Sequence, residues 1–267
     1  MRDAYRRFDC PPVPSADMIP KPPRTAWIAG FPDVVIHTAL EARDTHADYW
    51  DAKAGDGEAA MRLVEALITL EAIDRIRTIV DGHNPIIVPA SAIEKFGFNA
   101  IPDAMALELG RRLDLEVDAE GINQINIVSH TRANGFHRLA TPAAFDGPVV
   151  EGRSYFLVDD HVGLGGTLAN LKGHIEVNGG RVVGATCLTE SVGSHVLALT
   201  ETTLEALRRQ HGKELEEFWV EEVGHALECL TEAEGGYLRR SATLDRIRNQ
   251  MAKAATRHGG GRLPEEA

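Results

Sequence analysis

Two adjacent carboxylates, Asp159 and Asp160, stand two residues ahead of a glycine-rich turn, Gly163-Leu164-Gly165-Gly166, which runs into Thr167. A continuous apolar run from Tyr155 to Val158 leads into the acids, and an apolar-periodic stretch follows Thr167. The order is strand, turn, helix N-terminus. At such a junction the N–H groups of the turn and of the first helical turn lack helical partners and can converge on an anion. Glycine lets that backbone approach a ligand closely. A bare phosphate would be repelled by two carboxylates. A phosphate carried on a sugar would not, because carboxylates accept from neighbouring hydroxyls and help to hold Mg²⁺. The stretch therefore predicts a pentose-phosphate cradle, with hydroxyls on Asp159 and Asp160 and phosphate on Gly165, Gly166 and Thr167. Other phosphate signatures fail: no G-x-x-x-x-G-K-[ST] occurs, and Leu168 stands where the third glycine of G-x-G-x-x-G belongs.

Val158 to Thr167 resembles the signature with which type I phosphoribosyltransferases bind phosphoribosyl pyrophosphate (PRPP). It differs at Gly163, where that family often has Asp, Thr or Ala, and at Leu164, where it usually has Thr. The resemblance implies PRPP contacts at Asp159, Asp160, Gly163, Leu164, Gly165, Gly166 and Thr167, with Mg²⁺ held directly or indirectly by Asp159 and Asp160. It also implies that the turn Pro89-Ala90-Ser91, after the apolar run Ile86-Ile87-Val88, takes pyrophosphate through backbone N–H groups. Ligands of open parallel sheets lie at such strand ends.

Two further segments look like the ComF-like branch of the same family. One is Ile86 to Pro89 followed by Phe96-Gly97-Phe98-Asn99, with Phe96 in place of an Arg. The other is the spacing Arg138, Thr141, Phe145, with Thr141 in place of an Asn. The loop from His130 to Arg138 supplies Arg132 and Arg138, and guanidinium forks suit phosphate. In the family such a loop brings a cation onto pyrophosphate, so Arg132 and Arg138 join Asp159 and Asp160 as the expected catalytic residues. The likeness covers roughly residues 83–190.

The chemistry implied is displacement of pyrophosphate from C1 of PRPP by a nitrogenous acceptor, a base or nucleotide, with Mg²⁺. Purine-type members often carry at position 163 an Asp that handles a ring proton; Gly163 has no side chain to do so. A second reading is a PRPP- or nucleotide-binding regulator without turnover, or a ComF-like accessory factor of DNA uptake.

The elements that must position these residues follow from periodicity. Ile86–Val88, Tyr155–Val158 and Arg181–Leu188 read as buried strands, with Trp27–Ala29, Val34–Ile36 and Ile125–Val128 as shorter candidates. Asp56 to Val80 reads as one amphipathic helix, and Pro102 to Leu113 and Gly166 to Val177 as two more. Residues 130–150 show no period and read as a loop. From residue 200 the pattern is helical, over 200–211, 213–228, 231–240 and 242–257, with a capping box at Thr231-Glu232-Ala233-Glu234. The expected fold is α/β: a parallel, Rossmann-like type I phosphoribosyltransferase core over 58–198. A Pro-rich arm and polar lead-in over 1–57 precede it, and a helical extension over 199–267 follows. The lead-in Tyr49-Trp50-Asp51-Ala52-Lys53-Ala54-Gly55-Asp56 looks like the segment ahead of the core in some bacterial stand-alone members, and carries no functional assignment.

The chain has 267 residues, 43% hydrophobic and 25% charged, ordinary for a globular protein. Its net charge of −12, from 28 Lys and Arg against 40 Asp and Glu, opposes nucleic acid or anionic membrane as partner. Cys10, Cys187 and Cys229 are too far apart to suggest a disulfide framework or zinc site, which fits a reducing cytoplasm. No apolar leader or spanning run is present. A homodimer is the expected assembly. His37, His46 and Asp48 invite a metal, but their spacing favours surface or capping roles.

Overall fold

Three of the apolar runs lie side by side in one sheet. The computed structural model describes residues 21–94, 97–118, 121–126, 128 and 135–258. Its strands are β1 (Val35–Ile36), β2 (Ile86–Pro89), β3 (Ile93–Glu94), β4 (Gly97–Phe98), β5 (Asn123–Gln124), β6 (Phe145–Asp146), β7 (Ser154–Val162) and β8 (Arg181–Glu190). Its α-helices are α1 (Leu40–Asp44), α2 (Tyr49–Lys53), α3 (Gly57–Leu67), α4 (Leu70–Val80), α5 (Ile101–Leu113), α6 (Gly135–Ala140), α7 (Gly166–Val177), α8 (Glu201–His211), α9 (Lys213–Phe218), α10 (Glu232–Arg239) and α11 (Leu244–His258). The main sheet has four strands in the order β1-β8-β7-β2, and every pair in it is parallel. The protein is thus α/β with a parallel sheet, as the sequence predicts.

The central strands read as unbroken apolar runs because helices cover both faces. Successive side chains of β7 alternate between those faces. Phe156 and Val158 join Leu63, Val64, Ile76, Met105 and Leu109 in a core under α3, α4 and α5. Tyr155 and Leu157 join Leu168, Leu171 and Ile175 of α7 in a second core. A third cluster gathers Leu204, Leu207, Leu215, Trp219 and Leu238 of the C-terminal helices with Phe136 and Leu139 of α6.

Several boundaries differ from the sequence reading. The single helix expected over 56–80 is two, because the Thr69 hydroxyl accepts from Ala72 N–H and caps a new start at Leu70. The apolar period runs through the break, so periodicity does not register it. Trp27–Ala29 is not a strand; the Trp27 indole instead donates to the Leu230 carbonyl at 2.7 Å. The pairing expected near Ile125 starts at Asn123–Gln124, opposite β6. Beyond it the Ile125 N–H donates to the Ala144 carbonyl at 2.8 Å, and the Asn126 side chain adds bonds to the Pro142 carbonyl and the Ala144 N–H. Within the expected 130–150 loop, α6 buries Phe136 and Leu139. The helix expected over 213–228 ends early: a π turn, Trp219–Val223, stops at Gly224, and a 3₁₀ turn covers Leu227–Cys229. The Thr231–Glu234 capping box is present.

Residues on both sides of the sheet core are tied to α7. Gly173, in the middle of that helix, faces the Pro23 carbonyl so closely that a methyl group there would overlap it. Alanine is normally better than glycine inside a helix by about 1 kcal/mol. Gly173→Ala should nevertheless destabilise the protein, by about 1–3 kcal/mol as in other overpacked sites, seen as a lower urea midpoint. An unchanged or raised midpoint would show that residues 21–26 do not pack against α7.

Candidate functional site

Asp159 and Asp160 lie within the second half of β7, ahead of the turn. Alternation therefore sends the two carboxyl groups to opposite faces of the sheet. Asp159 follows Tyr155 and Leu157 and lines a cleft with the glycine loop. Asp160 follows Phe156 and Val158, and its Oδ2 lies 3.0 Å from the Lys53 ammonium at the end of α2. Burial, reinforced by the neighbouring Asp160 charge, pushes the Asp159 carboxyl well above the usual carboxylate range. Burial alone would raise Asp160 too, but the Lys53 and Arg43 charges outweigh it and hold that group low. The two acids are thus pushed in opposite directions, Asp159 toward its protonated form and Asp160 toward its ionised form. Asp159 Oδ1 also accepts the N–H of Asp160 at 2.8 Å.

The turn after β7 forms as expected. Gly165 takes a left-handed φ of 79° and supplies the N-cap of α7 without a side-chain cap. The first-turn N–H groups of α7 have no helical acceptors. A Cβ on Gly163 would lie 2.5 Å from Arg138 Nη1. Gly163, the departure from the family pattern, is therefore the residue that lets the Arg138 guanidinium lie against the loop. Burial lowers the pKa of that guanidinium. A Cβ on Gly166 would meet Glu234 Oε1 at 2.8 Å and Arg24 Nη2 at 3.1 Å. Arg24 and Glu234 form a two-pronged pair, 2.6 and 2.9 Å, with side chains only 5% and 3% exposed. Arg24 also donates to Asn170 Oδ1 of α7 at 2.6 Å, and the Thr231 hydroxyl donates to the Leu164 carbonyl. Chain-distant residues 24, 138 and 234 thus line one cleft with Asp159, His161 and the loop 163–167.

At the end of β2 the picture is different. Of the N–H groups expected to take pyrophosphate, Pro89 has none, and Ala90 donates its own to the Val158 carbonyl at 2.7 Å. The Ser91 hydroxyl donates to Asp103 Oδ1 at 2.9 Å. Asp103 Oδ2 is buried without a hydrogen-bond partner among the described residues. Burial, working against the Ser91 bond, pushes this carboxyl up to about 6.

Arg132, His130, Phe96 and Cys10 lie outside the described residues. Thr141 donates to the His137 carbonyl one helical turn back. His37 is buried between Thr69 N–H and the Thr186 hydroxyl, and His46 accepts from Asp48 N–H. Among the described residues no cluster of three His, Cys, Asp or Glu side chains could hold a metal. The acid pair fits a directly bound Mg²⁺ poorly, since a hard cation needs ionised oxygens and Asp160 Oδ2 already faces the Lys53 ammonium at 3.0 Å. Cys187 and Cys229 are buried free thiols. No helix among the described residues is long and apolar enough to cross a membrane.

Sequence reasoning missed Lys53, Arg43, Arg24 and Glu234. Lys53 lies in the lead-in segment singled out without a role. Arg43 is buried, bonds the Thr189 hydroxyl at 3.0 Å and lies over the Tyr49 ring at 4.8 Å, bracing α2. The Thr231–Glu234 capping signature marked Glu234 as a helix cap; nothing in the chain order shows that the same carboxylate reaches the glycine loop.

No family model matches the chain. It is 39% identical over 231 residues to Protein TraN of Escherichia coli, covering 86% of this chain and 51% of that one. It is 39% identical over 152 residues to an uncharacterized protein of Haemophilus influenzae, covering 57% of this chain and 34% of the relative. The chain thus spans about half the length, or less, of the curated relatives it matches. Among solved structures it is similar to an adenine phosphoribosyltransferase from Thermoanaerobacter pseudethanolicus, at 18% identity and a TM-score of 0.27, over 51% of this chain and 70% of that one. A superposition that loose decides nothing about activity.

The raised Asp103 pKa has a consequence for stability. The unfolded chain loses this proton near pH 3.8 and the folded protein near 6, so the folded state binds more protons between those values. Stability then falls as pH rises through that window, by up to about 3 kcal/mol, and is level above it. Asp103→Asn removes the group. The stability of the variant minus that of the wild type, from urea unfolding, should climb between pH 4 and 6 and flatten above. A difference that is flat or falls across the window would show that Asp103 is not a buried acid.

Proposed function

We propose that the chain binds PRPP and transfers its 5-phosphoribosyl group to, or from, a nitrogenous acceptor, releasing or consuming pyrophosphate. The observation that carries this reading is the placement of an acid pair and a glycine loop at the carboxyl end of one parallel strand. The acids lie in β7, which ends at Val162, and the loop leads straight into α7 at Gly166. In this reading the phosphate sits on the N–H groups of Gly165, Gly166 and Thr167, at the positive end of α7. Asp159 and Asp160 hold the ribose hydroxyls, Asp159 from the cleft under the glycine loop and Asp160 from the side of Lys53. PRPP enters as its Mg²⁺ complex, the ion carried on the pyrophosphate oxygens as part of the substrate, where it spreads the charge that grows as pyrophosphate departs. The protein's own work is to hold the sugar and phosphate so that the acceptor meets C1 in line. In this reading Arg138, which lies against Gly163, contacts the ligand beside the phosphate loop, at the position where purine-type members carry a carboxylate.

A second reading, a protein that holds PRPP or a nucleotide without turnover, draws on one observation. The turn after β2 spends the Ala90 N–H inside the sheet and has none at Pro89, which weakens the expected pyrophosphate cradle.

Incubation with Mg²⁺-PRPP and a panel of purine, pyrimidine and pyridine bases separates the two. Pyrophosphate release with one of them is expected. PRPP binding without release under any acceptor would move the assignment to the second reading. Asp159→Asn combined with Asp160→Asn should weaken PRPP binding more than about ten-fold, on the order of 1.4 kcal/mol or above; an unchanged Kd would remove both acids from the site.

A further inference from the structure

We infer that Lys53 is the cation that receives the pyrophosphate end of the ligand, held ready by Asp160. The inference rests on the PRPP reading and names a residue from outside the sheet as part of the reacting site. Lys53 is the last residue of α2, and the end of that helix is wedged over the hairpin that follows β2. The Ala100 N–H donates to the Ala52 carbonyl at 3.1 Å. Gly97, at a φ of 133°, approaches so closely that a Cβ there would lie 2.8 Å from the Ala54 carbonyl oxygen. On its other side Lys53 meets Asp160 of β7 at 3.0 Å. Strands β2 and β7 are neighbours, with Pro89 paired to Val158. The ammonium therefore stands at the seam between the turn after β2 and the acid pair.

That seam is where the pyrophosphate of a ligand anchored by phosphate on α7 and by hydroxyls on the acids would emerge. The turn itself offers no N–H from Pro89 or Ala90, so a side-chain cation fills a need the backbone leaves. Lys53 keeps 17% of its side chain exposed, enough to be reached. Its partner Asp160 is buried and lies 3.0 Å away, so the ammonium is oriented before a ligand arrives, which lowers the cost of ordering it. A salt bridge of purely structural use would need neither the seam nor the access. In the transfer, the C1–O bond breaks with its electron pair staying on pyrophosphate. The acceptor nitrogen's lone pair forms the new C1–N bond, and a proton on that nitrogen, where there is one, passes to water. No bond forms or breaks at the Lys53 nitrogen; its part is to stabilise charge on the leaving oxygens.

The test compares Kd for inorganic pyrophosphate and for ribose 5-phosphate in wild type, Lys53→Met and Lys53→Arg. Lys53→Met should lose at least about ten-fold in pyrophosphate affinity and less than about two-fold for ribose 5-phosphate, and Lys53→Arg should recover most of the loss. Equal losses for both ligands, or none for either, would overturn the inference and leave the PRPP reading standing. Failure of the wild type to bind ribose 5-phosphate would instead remove that reading, and this inference with it. A measurement on the unaltered protein covers a variant that does not fold. Pyrophosphate, but not ribose 5-phosphate, should slow acetylation of Lys53 by acetic anhydride, read by peptide mass spectrometry; an unprotected Lys53 at saturating pyrophosphate would overturn the assignment.

Discussion

Everything at this site depends on the alternation of side chains along one buried strand. Asp159 and Asp160 are neighbours in the chain, so an extended backbone must send them to opposite faces of the sheet. Each then meets a different environment. Asp159 enters a cleft under the glycine loop, where burial and a nearby negative charge favour its protonated form. Asp160 enters the side of the sheet where α2 ends, and Lys53 favours its ionised form. Two chemically identical residues are thereby pushed in opposite directions by their surroundings alone. Buried charge without a partner is costly enough that only such an arrangement keeps both acids inside.

The rest of the molecule serves that division. On one side, α1 and α2 are braced by Arg43 between Tyr49 and Thr189, which holds Lys53 in place. On the other, residues 21–31 and the C-terminal helices close around α7 through the Arg24–Glu234 pair and the Thr231–Leu164 contact. The segments flanking the parallel sheet in sequence are therefore packed onto the ends of the strand and helix that hold the acid pair and the glycine loop. Gly163, Gly165, Gly166 and Gly173 share one explanation. Each marks a point where a chain-distant residue approaches α7 or its loop more closely than a Cβ allows.

Much of the fold was legible in the chain. Unbroken apolar runs at Ile86, Tyr155 and Arg181 identify strands buried on both faces, and the intervening periodic stretches identify helices, because each element must hide its apolar surface. What periodicity reads poorly are breaks that hydrogen bonds decide. Thr69 starts a new helix without disturbing the apolar period, and past β5 the Asn126 side chain adds its own bonds to the neighbouring chain.

For the site, the chain alone determined its acid and glycine-loop elements: the Asp159–Asp160 pair, the glycine turn and Thr167 follow one another closely in the chain, so local backbone geometry places them together. Only the tertiary structure decided their charge states and company, since Lys53, Arg24, Arg138 and Glu234 lie far off in sequence and reach the site through packing. Sequence also carried the departure at Gly163 but not its reason, because the guanidinium that fills the space comes from α6. Local order is written in neighbouring residues; electrostatics at a buried group is set by whatever the fold brings within a few ångströms of it.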